Sequence, residues 1–273
     1  MTPRSPISGA APAARIRLTE VSGSAPRAAG TTMLVNAEAA EGTIGGGQLE
    51  YMAIEEARAM LAAGEDRREM NVPLGPEIGQ CCGGRVKIVL DRLDEAGLRA
   101  ERQAGRQAQD DWPQVLIFGA GHVGRALSAA LLPLPVQARL IDTRAAEIAL
   151  APRGVEVQLT SLPEAEVRSA GPGTAYVILT HDHSLDFLIA AEALERGDAA
   201  YVGMIGSETK RASFAGFCRR EAPGADPARL TSPIGAGGTR DKRPEVIAAL
   251  VAAELLTALL TQPAEAVSVP SRA

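Results

Sequence analysis

The chain has 273 residues, 46% apolar and only 3% aromatic, which suits two domains, or one large one, with cores of Ala, Val, Leu and Ile. The formal net charge is −5, and the basic residues are scattered, so a phosphate-tracking stripe and a nucleic-acid partner are excluded. The longest apolar stretch, Val246 to Leu260, is interrupted by Glu254 and is too short to span a bilayer, which argues against a membrane protein.

Residues 1–14 are rich in Pro, Ala and Ser without a long apolar segment, and read as a loose tail, not a signal peptide. Arg15 to Val21 alternates in polarity and predicts the first strand. Gly23-Ser-Ala-Pro-Arg-Ala-Ala-Gly30 is a loop, and Thr31 to Val35 returns as a second strand. Gly42-Thr-Ile-Gly-Gly-Gly-Gln-Leu-Glu50 follows. Its glycines run into a helix at about 48–63, with Leu49, Met52, Ala53, Ala57, Met60 and Leu61 at helical spacing. A short strand near 69–74 leads to Leu74-Gly-Pro-Glu-Ile-Gly-Gln-Cys-Cys-Gly-Gly84, and a strand runs from Arg85 to Leu90. Residues 15–93 therefore form an N-terminal domain. Asp91 to Pro113 is polar and is either a solvated helix or a linker, so 94–113 is taken as the boundary.

The second domain, 114–262, alternates strands at 114–119, 136–142, 155–159, 174–180, 200–204 and 229–231 with helices at 122–132, 185–196, 207–221 and 243–261. Residues 263–273 read as a second tail. The alternation predicts a parallel sheet covered on both faces, with ligands at the carboxyl ends of its strands. The fold class expected is α/β: a small N-terminal α/β domain with glycine-rich loops, then a Rossmann-like parallel-sheet domain.

Gln114-Val-Leu-Ile-Phe-Gly-Ala-Gly-His-Val-Gly-Arg125 is strand, glycine turn and helix, the context that gives a G-x-G-x-x-G motif its meaning. Gly119 permits the turn, Gly121 lets a phosphate approach, and Gly124 lets helix pack on strand. His122 opens the helix. Asp142 ends the next strand, about 18 residues beyond Gly124, where a ribose-binding carboxylate is expected. It reads equally as a strand-end residue capping a turn.

Thr180-His-Asp-His-Ser-Leu-Asp186 holds His181, Asp182 and His183 after a strand; these are ligand-facing polar groups, a weak metal site, or a helix cap by Asp182 or Ser184. Ser207 and Lys210 sit on another strand-to-helix turn. They suit an anion, or an ordinary serine cap with a solvated lysine. Gln80, Cys81, Cys82 and Gly83 form the least generic stretch. A thiol among glycines, near uncovered backbone N–H groups, would be nucleophilic, would bind a soft metal or would carry sulfur; the alternative is two small residues in a tight turn. Cys218, inside an amphipathic helix, reads as a buried small hydrophobe. Three cysteines without a framework point to a reduced, cytoplasmic protein. Loops at Gly23–Gly30, Gly42–Gly47 and Gly79–Gly84 make sense together if they converge on a bulky anionic ligand.

These residues resemble the XdhC/CoxI family. The resemblance rests on Gly23-Ser-Ala-Pro-Arg27 with Gly30 and Met33, on Gly42-Thr-Ile-Gly-Gly-Gly47 with Glu50, and on Leu74-Gly-Pro to Gly79-Gln-Cys-Cys-Gly-Gly84. In the second domain it rests on Gly119-Ala-Gly-His-Val-Gly124, Thr180-His-Asp-His with Asp186, Gly203-Met-Ile-Gly-Ser207 with Lys210, and Pro233-Ile-Gly235. It covers nearly the whole chain. It departs at the N-terminus, where a Pro/Ala-rich tail stands in place of an expected helix.

The resemblance implies an accessory factor without turnover of its own. Such a factor binds the molybdenum cofactor (molybdopterin), protects it while a cysteine desulfurase helps install its sulfido ligand, and inserts it into xanthine dehydrogenase. The implied partners are the molybdenum-binding subunit of xanthine dehydrogenase, the desulfurase, the proteins of molybdenum cofactor biosynthesis and a second copy of the chain. The implied cofactor-binding residues are Arg27, Gly45, Gly46, Gly47, Gln80, Cys81, Cys82, Gly83, Gly119, Gly121, His122, Gly124, Asp142, His181, Asp182, His183, Ser207 and Lys210, with Cys81 and Cys82 as molybdenum contacts. The Rossmann-like half is also suited to a nucleotide. Two alternatives stand beside this reading. One is an NAD(P)-dependent oxidoreductase with His181 or His183 as acid. The other is a sulfurtransferase using Cys81 or Cys82.

Overall fold

The computed structural model describes residues 7, 12–75, 83–237, 239 and 241–260. They fall into two compact units that divide at Gln107/Ala108.

The first unit is built on five antiparallel strands: β1 (Ala13–Ser22), β2 (Thr32–Val35), β3 (Ala40–Gly42), β4 (Arg67–Pro73) and β5 (Arg85–Leu93), in the order β3-β2-β1-β5-β4. Alternation decides the faces. Ala14, Ile16 and Leu18 of β1 point into one core with Met33, Val35, Ile88 and Leu90. Helix α1 (Gly47–Ala62) closes that core with Leu49, Ala53, Ala57 and Met60, the helical spacing read from the sequence.

The opposite face decides between the two readings of residues 91–113, and the helix is the one that holds. Residues 95–110 are a helix, α2 (Glu95–Asp110), and its first turns belong to this unit. Leu98 is buried with Ile7 and Ala13. Glu101 pairs with Arg15, which also meets Asp91 at 2.8 Å, and Arg102 pairs with Glu41 at 2.7 Å. The stretch looked like a linker because one apolar contact and two ion pairs hold it. The supposed tail needs the same correction: β1 begins at Ala13, and Ile7 is buried with its N–H donating to Glu41.

The second unit contains β6 (Gln114–Phe118), α3 (His122–Leu131), β7 (Gln137–Asp142), α4 (Ala145–Ile148), β8 (Glu156–Leu159), α5 (Pro163–Ser169), β9 (Ala175–Ile178), α6 (His183–Glu195), β10 (Tyr201–Met204), α7 (Glu208–Glu221) and α8 (Pro244–Leu260). All five strands are parallel, in the order β10-β9-β6-β7-β8. The chain goes one way from β6 to β7 and β8, then returns to place β9 on the other side, so the switch point lies between β6 and β9. Four consecutive apolar residues in β6 serve two cores. Leu116 and Phe118 face α5, α6 and α7, while Val115 and Ile117 face α3 and α8. Cys218 lies in the first of these cores, and burial raises its thiol pKa. The strand expected at 229–231 is a 3-10 turn, Pro227–Arg229, followed by one bridge from Thr231 to Gly203. None of the described helices is long and apolar enough to cross a membrane.

Leu98→Ala tests the assignment of α2. If the helix is part of the first unit, the substitution removes about 2–5 kcal/mol in urea unfolding of the full chain. A linker residue would leave the transition unmoved.

Candidate functional site

In the first unit three glycine loops meet where glycine leaves room for a neighbour. Gly45 has φ +128°, and a Cβ there would lie 2.5 Å from the Pro26 ring. A Cβ at Gly84 would overlap the carbonyl oxygen of Ser24, and Gly83 bridges to Ser24. Leu74 closes the third loop, its N–H donating to the Gly84 carbonyl while its carbonyl accepts from the Gly83 N–H, both at 2.7 Å. The convergence expected from glycine density is thus present for Gly23–Gly30, Gly42–Gly47 and Gly83–Gly84. At Gly46 (φ +74°) and Gly83 (φ +65°) the space a side chain would fill is open. A groove of about 410 Å³ runs beside Gly83, between the first and third loops, lined by Gly23, Leu74, Gly75, Gly83, Gly84 and Arg85 among others. Arg27 is exposed at the same loops. Gln80, Cys81 and Cys82 lie outside the described residues.

Glu50 shapes the second loop. It is 6% exposed and reaches back from the first turn of α1. It accepts from Thr43 Oγ1 at 2.5 Å and from the N–H groups of Ile44 and Gly46 at 3.2 and 3.1 Å. Gly46, at the N-cap, has no side chain to offer, so Glu50 supplies the acceptor as the glutamate of a capping box would.

In the second unit the crevice lies at the carboxyl ends of β6, β7 and β9, walled by Gly119, Asp142, Thr143, Pro163, Thr180 and His181. The three glycines of the turn have separate roles. A Cβ on Gly119 would overlap Leu179, and one on Gly124 would overlap the Gly119 carbonyl. Gly121 is different. Nothing lies within 4 Å of its Cβ position, and its backbone (φ −68°, ψ −172°) is ordinary extended chain. Gly119 and Gly124 build the turn, while Gly121 leaves room beside the N-terminus of α3, where N–H groups favour an anion.

Asp142 is 5% exposed and fully engaged. Oδ2 accepts from the Ala120 N–H at 2.7 Å and from Arg144 Nη2 at 2.8 Å. Oδ1 accepts from the Arg144 N–H and Nε, both at 2.9 Å. Four donors fill the four lone-pair sites of a carboxylate, which leaves none for a ribose diol. Burial opposes ionisation of Asp142, but the Arg144 fork and the Ala120 and Arg144 N–H groups outweigh it and hold its pKa below the usual aspartate value. Arg144 is among the positions after a strand where the sequence expects a site (142–144), but its role as the partner of Asp142 appears only in the fold; an Arg two residues after a strand-end Asp was the available signal.

The histidines stay at the surface. His122 is exposed at the first position of α3, and His181 and His183 are exposed around Asp182. Asp182 is the N-cap of α6, accepting from Ser184 N–H at 2.8 Å and Leu185 N–H at 3.4 Å. Among the described residues no three His, Cys, Asp or Glu side chains are grouped to hold a metal. Ser207 caps α7. Lys210 is neither solvated nor aimed at an external anion. Its side chain is 9% exposed and its ammonium pairs with Asp186, which is fully buried.

Residues 115–255 match the model of the XdhC Rossmann domain, and residues 7–71 match that of the XdhC and CoxI family. The chain belongs to the XdhC and CoxI family. Among curated proteins this XdhC-family chain is 28% identical over 259 residues to YqeB of Escherichia coli K12, described as uncharacterized. That match covers 90% of the chain and 43% of YqeB, so the chain spans less than half the length of that relative. Among solved structures it is similar to a Bacillus halodurans protein described as a xanthine dehydrogenase. The TM-score is 0.78 at 18% identity, covering 96% of this chain and 95% of the other, a likeness of fold.

Two outcomes follow from the turn. Gly124→Ala should lower stability by about 1–3 kcal/mol because the clash is with backbone. Gly121→Ala should stay within about 0.5 kcal/mol of wild type. Thermal melts of both proteins separate the two roles.

Asp142 gives a pH dependence. Its pKa is lower folded than unfolded, so the stability it contributes is complete above the unfolded value of about 3.9 and is lost as pH falls through the folded value. The stability gap between wild type and Asp142→Asn, measured in urea from pH 7 to pH 3, should be full at pH 7 and close below about pH 4.

Proposed function

We propose that the chain is a molybdenum cofactor-binding accessory protein acting in the maturation of xanthine dehydrogenase. Membership of the XdhC and CoxI family supports the maturation role. The observation that carries cofactor binding is the meeting of three glycine loops, the first touching the second through the Pro26 ring at Gly45 and the third through backbone at Ser24, with open Cβ positions at Gly46 and Gly83. Such a surface suits a bulky, polar ligand, because with no side chain at Gly46 or Gly83 the ligand can approach the backbone closely. A pterin phosphate has those properties, and its molybdenum centre is the reactive part that the bound cofactor supplies. Arg27, exposed in the first loop, is the cation proposed to meet the phosphate. Cys81 and Cys82 belong to the segment whose ends are fixed at Leu74 and Gly83, and they are the thiols proposed to meet the metal or its sulfur. Taken by itself, the second unit offers room for an anionic group at the open side of Gly121. The occupied carboxylate of Asp142 weighs against a dinucleotide there.

The reading includes handover to the molybdenum-binding subunit of xanthine dehydrogenase, a cysteine desulfurase as sulfur source, a supply from molybdenum cofactor biosynthesis proteins, and a reduced cytoplasmic setting. It also includes a homodimer, for which α8 offers apolar surface: Leu260 is 46% exposed.

The test uses full-length protein purified from cells that make the cofactor. Bound molybdenum is measured by mass spectrometry and bound pterin by fluorescence after oxidation, and the loaded protein is mixed with cofactor-free xanthine dehydrogenase. Pterin and molybdenum in equal amounts, with activation of the dehydrogenase, are expected. A bound dinucleotide without pterin would overturn the proposal. Cys81→Ala/Cys82→Ala should fold within about 1 kcal/mol of wild type yet carry less cofactor, or deliver less of its sulfido form.

A further inference from the structure

The second unit contains a buried ion pair that the glycine turn alone does not explain. Asp186, in the first turn of α6, is 0% exposed, and Lys210 of α7 is 9% exposed by side chain. Lys210 Nζ donates to Asp186 Oδ2 and, at 3.0 Å, to the carbonyl of Ile205 at the end of β10. The other oxygen, Asp186 Oδ1, accepts from the Thr180 N–H at 3.0 Å and from its hydroxyl at 2.6 Å. Lys210 arrives there by folding back across Gly206. A Cβ at Gly206 would lie 2.7 Å from Lys210 Cδ, so the glycine makes way for the lysine stem. The Gly203-Met-Ile-Gly-Ser207 turn is thereby tied to the Thr180-His181 loop. That loop is the wall of the crevice, and the Gly119 turn packs directly on Leu179 and Thr180.

We propose that Asp186 and Lys210 are a positioning pair: through Thr180 they set the distance between the His181 loop and the Gly119–Gly124 turn. The reason is physical. Loop ends at a sheet edge are free to move unless something fixes them, and a desolvated ion pair with further hydrogen bonds has one good geometry. On this proposal Lys210 holds the site's shape and does not itself receive the anion. The binding consequence rests on the reading that this crevice takes an anionic part of the molybdenum cofactor.

The experiment compares the full-length wild type with Lys210→Met, Asp186→Leu/Lys210→Met and Gly206→Ala. Lys210→Met leaves a buried carboxylate without its cation and should melt lowest. The double variant leaves no unpaired charge and should recover melting temperature. Gly206→Ala, at an exposed turn position, keeps both charges and displaces only the lysine stem. Amide exchange is then read by mass spectrometry in the peptide spanning 179–186. It should be about tenfold faster in the double variant than in wild type, with Gly206→Ala between them. Pterin retained through purification should fall in the same order, although stability does not. Wild-type exchange in that peptide in both the double variant and Gly206→Ala overturns the proposal. So does wild-type pterin content in the double variant. A wild-type protein that holds no pterin instead overturns the proposed function, and amide exchange, which needs no ligand, then decides the pair alone.

Discussion

The second unit depends on a place where backbone meets backbone with no side chain between. The carbonyl of Gly119 occupies the space a Cβ on residue 124 would need, and Gly119 itself presses on Leu179. This closeness brings the start of α3 against the end of β6, and it draws the Ala120 N–H within reach of Asp142. The crevice between β6 and β9 takes its floor from that turn. A single methyl group at either glycine would push the floor outward and separate Ala120 from its acceptor.

A common device recurs in both units. Glu50, Asp142 and Asp186 are the buried acids among the described residues, and each accepts from the backbone N–H of a glycine-bearing or crevice-lining loop. A buried carboxylate is costly unless its oxygens are satisfied, and each of these is satisfied in part by loop backbone and in part by side chains. Loops that would otherwise scatter are therefore fixed by an acid set in a regular element. Glu50 projects from α1, Asp142 ends β7 and Asp186 opens α6.

What was legible in the sequence was whatever depends on local period. The β6 turn, α1, α6, α7 and α8 declare themselves through apolar spacing and caps, and the glycine loops through composition. What was hidden depends on distant partners. Strand β3 is three residues long, and α4 and α5 are short helices with little or no buried surface of their own. The polar stretch that becomes α2 is held by Arg15 and Glu41, residues remote in sequence. At the site, the glycines were found and the acids that shape the loops were underrated. A lysine one turn into a helix looks solvated until the chain is folded and its stem crosses Gly206. Asp142 sits where a ribose ligand would, and only the folded arrangement shows its lone pairs already filled.

Glu50 has a consequence for release. The start of α1 would ordinarily present an uncompensated positive field to an arriving anion. Here a resident negative charge already sits within that turn, and it accepts the N–H groups of Ile44 and Gly46 in the loop that leads into it. An anionic guest therefore meets a field largely cancelled in advance, and its hold must come from shape and from the groups at the rim. If the guest is handed on, as proposed, a muted attraction would be an advantage: the guest would leave without having to break a strong electrostatic grip.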